Sequence, residues 1–263
     1  MNGKILTIAG SDPSGGAGIQ ADIKTISALG GYAMAAITAL TIQNTQKVYE
    51  VHPVDPSIVS AQIRAVLEDI LPDAIKVGMM ASANIAQNLG QIFAENRDIP
   101  LIVDPIILST SGHCLLEKRG VDILRTDMFP MIDLLTPNLA EAAHLAACDP
   151  LYTRDDMCRA GEKLQAMGPK AILVKGGHLA GDILTDILIT EEGTFDFSHP
   201  MISTKNTHGT GCTLSAAIAT GAGQGMTMID AVARAHQYVY EAIKQAPGYG
   251  YGTGPLNHLV RLD

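Results

Sequence analysis

Short apolar runs alternate with helix-period segments along most of this chain. Ile5-Leu6-Thr7-Ile8-Ala9, Ala74-Ile75-Lys76-Val77, Leu101-Ile102-Val103, Asp133-Leu134-Leu135 and Ala171-Ile172-Leu173-Val174 have the length of buried strands and are bounded by Gly, Pro, Asp or Asn. The segments between them carry helix signals. Asp55-Pro56-Ser57 predicts a capped start with Pro in the first helical position, ahead of an apolar side made by Ile58, Val59, Ile63, Val66, Leu67 and Ile70. Such alternation predicts an α/β fold with a mostly parallel sheet and helices on both faces. Asp182 to His199 departs from it, with two strand-like runs around Glu191-Glu192-Gly193-Thr194 that predict an antiparallel hairpin at one edge. Helices from about Gly211 to Gly225 and from about Met228 to Ala246 follow, then a Gly- and Pro-rich tail.

In a sheet of this kind, ligands gather at the carboxyl ends of the strands. The predicted strands run into Gly10-Ser11-Asp12, Gly78-Met79, Asp104-Pro105, Thr136-Pro137-Asn138 and Lys175-Gly176-Gly177-His178, so five strand ends line one crevice. Facing them in the chain is Thr207-His208-Gly209-Thr210-Gly211-Cys212-Thr213, which opens a small-residue helix. The first amides of a helix lack intrahelical partners and carry the positive end of its dipole, and glycine lets a phosphate approach the backbone. A cysteine in that first turn is where a thiol ionises most easily, although a small buried core residue has the same pattern.

Other motifs are read with both a structural and a chemical meaning. Gly16-x-Gly18-x-x-Ala21 follows a strand, yet the next apolar run, Tyr32 to Ile42, ends in Gln43-Asn44 without the acid that holds a dinucleotide ribose. No lysine follows these glycines, which also excludes a Walker A loop. Ile19, Ile23 and Ile26 form a helical stripe into which Asp22 projects; a carboxylate there needs a partner, either an internal hydrogen bond or a ligand group. Asn138-Leu139-Ala140-Glu141 has capping-box spacing, and Glu141 with Asp104 also makes a carboxylate pair able to hold Mg²⁺. Lys175 is either a solvated turn lysine or a phosphate contact. His144 and Cys148 are expected to share a packed helix face, and His113-Cys114 to lie on a loop that is either a lid or ordinary surface.

Composition narrows the classes. The chain has 263 residues, 47% hydrophobic and 17% charged, enough for one large α/β domain spanning 1–263. A net charge of -9 argues against a general nucleic-acid or anionic-membrane surface. Four cysteines without a Cys-x-x-Cys pair support neither a disulfide framework nor a zinc site, and with no targeting signal visible a reducing cytoplasm is expected.

Taken together, these motifs resemble those of ribokinase-fold small-molecule kinases, and most closely the hydroxymethylpyrimidine/phosphomethylpyrimidine kinases of thiamine biosynthesis. The resemblance runs through Ala9 to Asp22, Gln43-Asn44-Thr45, Lys76-Val77-Gly78-Met79, Val103-Asp104-Pro105, Thr136-Pro137-Asn138-x-x-Glu141-Ala142, Lys175 to His178 and His208-Gly209-Thr210-Gly211-Cys212. It implies a ribokinase-like fold and an ATP-dependent enzyme that phosphorylates 4-amino-5-hydroxymethyl-2-methylpyrimidine and then its monophosphate. It further implies that Gly10, Asp22, Gln43 and Met79 line the pyrimidine pocket, Asp104 and Glu141 serve Mg²⁺, and Asn138 and Lys175 the triphosphate. Gly209, Thr210, Gly211 and Cys212 would form the anion hole, with Cys212 as base, its thiol pKa depressed by the surrounding amides, where related sugar kinases have aspartate. A homodimer is implied as well. Two alternatives are a pyridoxine or pyridoxal kinase, whose substrate offers nearly the same reacting alcohol, and a catalytically silent pyrimidine sensor.

Overall fold

Alternation along the first strand sorts its side chains onto two opposite layers. In the computed structural model, which describes residues 2–107, 115–177 and 181–262, β1 (Lys4–Ser11) sends Leu6 and Ile8 into one apolar cluster and Ile5 into the other. The first cluster is completed by α2 (Pro56–Asp69), α3 (Ala83–Ala94), α4 (Lys118–Ile123), α5 (Leu139–Ala146) and α6 (Arg154–Gln165). The second is completed by α1 (Gly18–Ala28), α7 (Thr210–Gly223) and α8 (Met228–Lys244). The remaining strands are β2 (Tyr32–Gln43), β3 (Val48–Pro53), β4 (Ala74–Val77), β5 (Leu101–Val103), β6 (Leu134–Leu135), β7 (Ala171–Val174), β8 (Ile183–Thr190) and β9 (Gly193–Pro200).

The nine strands lie in the order β3-β2-β1-β4-β5-β6-β7-β8-β9. The run from β2 to β7 is parallel, and β8 and β9 form the expected antiparallel edge hairpin. This is the predicted α/β architecture with one addition. A second antiparallel strand, β3, closes the other edge, turning back through Asn44, whose Oδ1 accepts from the amides of Gln46 at 2.9 Å and Lys47 at 3.2 Å. Its Val-Tyr-Glu-Val-His pattern is mostly exposed, as suits an edge, and lacks the continuous apolar signal of the interior strands.

Helix faces also differ in detail from the periodic reading. Ile23 and Ile58 are 38% and 54% exposed, so the buried side of α1 is instead Ile19, Asp22, Thr25 and Ile26, and that of α2 is Val59 and Ile63. His144 and Cys148 do not pack: both are exposed, because α5 ends at Ala146 and Ala147 takes a left-handed conformation that carries the chain away. His113, Cys114 and His178 lie outside the described residues.

Candidate active site

Chain order reverses at β1, whose neighbours are β2 on one side and β4 on the other. That switch point opens the crevice at the strand ends. The period-2 alternation then sets which side chains meet there. Ala74, Ile102, Leu134 and Leu173 face the α7 layer, and two residues further along each strand stand Lys76, Asp104, Thr136 and Lys175. All four therefore point under α7. Lys175 Nζ donates to Asp104 Oδ1 at 2.7 Å, and Thr136 Oγ1 donates to the same oxygen at 3.2 Å.

The first turn of α7 stands directly over this pair. A Cβ at Gly211 would lie 3.2 Å from both Asp104 Oδ2 and Lys175 Nζ. Gly209 caps the helix with φ +83°, a left-handed conformation natural to glycine. A Cβ there would overlap the carbonyl oxygen of Gly16, so the glycine also lets the loop after β1 lie against the anion motif.

Asp12 joins those two loops. It is 2% exposed and accepts from the amides of Ser14 (2.8 Å), Gly16 (3.1 Å) and Ala17 (2.8 Å) and from Ser14 Oγ (2.7 Å). His208 Nε2 lies 2.9 Å from Asp12 Oδ2, the oxygen that also accepts from the Gly16 and Ala17 amides. Burial opposes its charge, but hydrogen bonds from His208, Ser14 and Gln43 prevail and hold the carboxyl well below the usual range. Gly10 abuts Met79: a Cβ on Gly10 would run into the Met79 methyl.

Asp22 is fully buried rather than open to the crevice. Lys76 Nζ donates to its Oδ2 at 2.8 Å, and Thr7 Oγ1 donates to the same atom at 2.5 Å. The internal partner anticipated as one of its two meanings is therefore present, while its Oδ1 is buried without one. The capping box is also real: Asn138 Oδ1 accepts from the Glu141 amide at 2.9 Å, and Glu141 Oε2 from the Asn138 amide at 3.0 Å.

Electrostatics correct one expectation. Cys212 is the third residue of α7 and receives the Gly18 amide, yet burial pushes its thiol up to about 11; the Lys76 charge and that amide only partly offset the loss of water. Helix-terminus amides do not overcome desolvation at a thiol 8% exposed. Burial, reinforced by Asp104 and opposed by Lys175, likewise pushes Glu141 up to about 7.

Asp104, Lys175 and the Gly209 to Cys212 turn thus meet at the crevice, with Asp22 in the layer beneath it, whereas His144 and Cys148 take no part. Thr7, Lys76 and the contact between Asp12 and His208 are additions. Lys76 had a legible signal, a lone charge in a four-residue apolar strand; the Asp12 to His208 contact joins residues 196 apart in the chain and had none.

Fold and site define a class, the ribokinase-like small-molecule kinases. Bacillus subtilis pyridoxal kinase in its ADP complex superimposes with a TM-score of 0.89 at 33% identity, covering 98% of each chain. The chain belongs to the phosphomethylpyrimidine kinase family, whose model matches residues 12–257, and it is an ATP-dependent phosphotransferase. The Escherichia coli hydroxymethylpyrimidine/phosphomethylpyrimidine kinase is 44% identical over 255 residues, 96% of both chains. The thiamine biosynthesis bifunctional protein of Geobacter sulfurreducens is 41% identical over 261 residues, which are 99% of this chain and 53% of that one. This chain spans about half of that relative's length.

Proposed function

We propose that residues 1–263 act as one kinase domain that transfers the terminal phosphate of ATP to 4-amino-5-hydroxymethyl-2-methylpyrimidine, and then to its monophosphate, in thiamine biosynthesis. The observation that carries this reading is the first turn of α7 over the Asp104 and Lys175 pair, with Cys212 in that turn. Gly10 and Met79 form an apolar wall for the ring. The Asp12 carboxylate can only accept, so the Gln43 amide turns its Nε2 toward it and leaves Oε1 for the exocyclic amine of the pyrimidine. Asp22 lies beneath as a buried carboxylate with one free oxygen.

In the first step, the substrate hydroxyl gives its proton to the thiolate form of Cys212, the minor form of a thiol raised to about 11, as its oxygen bonds to the γ-phosphorus. The bond from that phosphorus to the bridging oxygen breaks, and ADP leaves. The amides of Gly209 to Cys212 and the Lys175 ammonium stabilise charge on the transferring group. Asn138 spends its Oδ1 on capping α5, leaving Nδ2 to donate to phosphate oxygens. Asp104 and Glu141 fit Mg²⁺ as hard oxygen donors, and a bound cation would favour the ionised form of Glu141 that burial opposes. Among the described residues, no three His, Cys, Asp or Glu side chains gather as a metal cage, so phosphates and water would complete the shell. Bound there, Mg²⁺ would neutralise charge on the phosphates.

The raised Glu141 sets a testable pH dependence. It would ionise near 4.5 when unfolded and near 7 when folded. Between those values the folded chain keeps a proton that the unfolded chain has lost, so stability falls as pH rises from about 4.5 to about 7. A shift of that size is worth on the order of 3 kcal/mol. Glu141→Gln is expected to flatten this slope in thermal melts, and Mg²⁺ to raise Tm more at pH 8 than at pH 5. Equal Mg²⁺ responses at the two pH values would remove Glu141 from the site.

ADP release measured in parallel with the pyrimidine alcohol, its monophosphate and pyridoxal tests the substrate. The family match predicts the two pyrimidines as the better substrates, and the pyridoxal kinase likeness makes weak pyridoxal turnover an expected side activity. Faster pyridoxal turnover would reverse the assignment; tight pyrimidine binding without ADP release would point to a sensor. A reducing cytoplasm and a homodimer belong to the same proposal. The described cysteines are free, no described helix is long and apolar enough to cross a membrane, and Leu40, Ile42 and Tyr49 expose apolar surface on the β2–β3 edge.

A further inference from the structure

The Lys76-Val77-Gly78-Met79 motif enters the reading above only through Met79. Its lysine is the least expected residue of the interior: completely buried in β4, opposite Thr7 of β1 and beneath α7. An ammonium can donate three hydrogen bonds, and this one donates only to Asp22, at 2.8 Å, among the described residues. The Asp22 carboxylate has its own oxygen left over. A buried charge pair satisfied this poorly is a costly element for stability alone.

Gly78 shows that the position of the charge is built in. Residue 78 lies on the same side of the chain as residue 76, and a Cβ there would sit 2.8 Å from Lys76 Nζ. The lysine's ammonium therefore sits beside the strand end, in space that a side chain at residue 78 would crowd. At that place its charge acts on the Cys212 sulfur, and the sulfur acts back on the ammonium. Around them, Asp22 and Asp104 are the anions that would oppose a thiolate. Lys76 enters this space from β4, whose Ala74 faces the α7 layer, and Cys212 enters it from the first turn of α7.

We infer that Lys76 is a positioning residue for phosphate transfer: its buried ammonium, placed by Asp22 and by the missing side chain at Gly78, is the counter-charge of the Cys212 thiolate. The inference rests on Cys212 as proton acceptor in the proposed reaction. When the hydroxyl proton leaves its oxygen and an S–H bond forms, the sulfur gives up negative charge beside the lysine, so the ammonium acts on the sulfur and not on the phosphate.

The test needs no substrate. Carboxamidomethylation by iodoacetamide at pH 8 reports thiolate, and peptide mass spectrometry separates Cys212 from the exposed Cys148, an internal control. Lys76→Met is expected to slow modification of Cys212 about tenfold, the effect of one pKa unit, with Cys148 unchanged. Merely loosened packing would act in the opposite direction, by exposing the thiol. Because Lys76→Met leaves Asp22 unpaired, the double variant Lys76→Met/Asp22→Asn removes both charges and serves where the single variant does not fold. Gly78→Ala keeps the lysine but displaces its ammonium, and is expected to slow Cys212 by a smaller factor. Cys212 modified at the wild-type rate or faster in the folded variants would overturn the inference. Slowed modification in a protein that releases no ADP with the pyrimidine alcohol would uphold the counter-charge and sink the proposed reaction instead.

Discussion

Cys212→Ala is expected to lower phosphorylation of the pyrimidine alcohol by at least about 100-fold, the scale of a lost general base, and to lower phosphorylation of the monophosphate far less. The two acceptors differ in one proton. An alcohol must lose its proton as it attacks, and Cys212, in the first turn of α7, is the residue proposed to take it. A phosphate monoester has a second pKa of about 6, so near neutral pH its attacking oxygen is already ionised. Both steps still need the amides of Gly209 to Cys212 to hold the transferring group, and a Cys212→Ala backbone keeps them. Cys212→Ser should behave similarly, since a serine hydroxyl is a poor proton acceptor without a neighbouring base, and pyrimidine binding should persist because Gly10, Met79 and Gln43 are untouched. Single-turnover rates with each acceptor, alongside calorimetric binding, make the comparison. A first-step rate near wild type would remove the thiol from the mechanism, and equal losses in both steps would assign it a purely structural part.

Gly209→Ala should be the most damaging of the small substitutions. Two costs fall on it at once. The residue sits at φ +83°, and its Cβ would overlap the carbonyl of Gly16 and lie 3.1 Å from Ala17 Cα. The strain of a left-handed conformation is on the order of 1 kcal/mol. The overlap matters more, because it separates the anion motif from the loop held by Asp12 and tilts the α7 amides away from Asp104 and Lys175. Displacement of about 1 Å can cost roughly 100-fold in rate, and loss of one amide donor as much again. Gly225→Ala supplies the control: it has the same φ of +83° with nothing within 4 Å of the added Cβ. Gly225→Ala is expected to shift Tm slightly with full turnover, and Gly209→Ala to lose at least about 100-fold in kcat. Matching behaviour in the two variants would show that backbone strain alone is at work.

How far the site could be read from sequence depended on the range of the interaction. The capping box of Asn138 and Glu141 and the helix start at Gly209 are local, encoded within four residues, and both are present in the fold. The burial of Asp22 was legible from the helical stripe on which it lies. Its partner was not named by any spacing, because Lys76 comes 54 residues later and reaches it only when β4 adds beside β1. The Cys212 thiol shows the limit from the other direction. Local chemistry at a helix N-terminus argues for an ionised sulfur, but desolvation is a property of everything packed around it, and here burial prevails.

The sequence by itself determined the layer order, the crevice at the strand ends and the residue types lining it. These follow from periodicity and from what helix termini, glycine and carboxylates can do wherever they occur. Tertiary structure alone decided the second antiparallel edge, the union of the two glycine loops through Asp12 and His208, the pairing of buried Lys76 with Asp22, and the protonation preferences of Cys212 and Glu141. Each of these depends on distances between residues far apart in the chain and on how much water remains at the point of contact. Both are fixed only when the sheet closes and α7 settles over it.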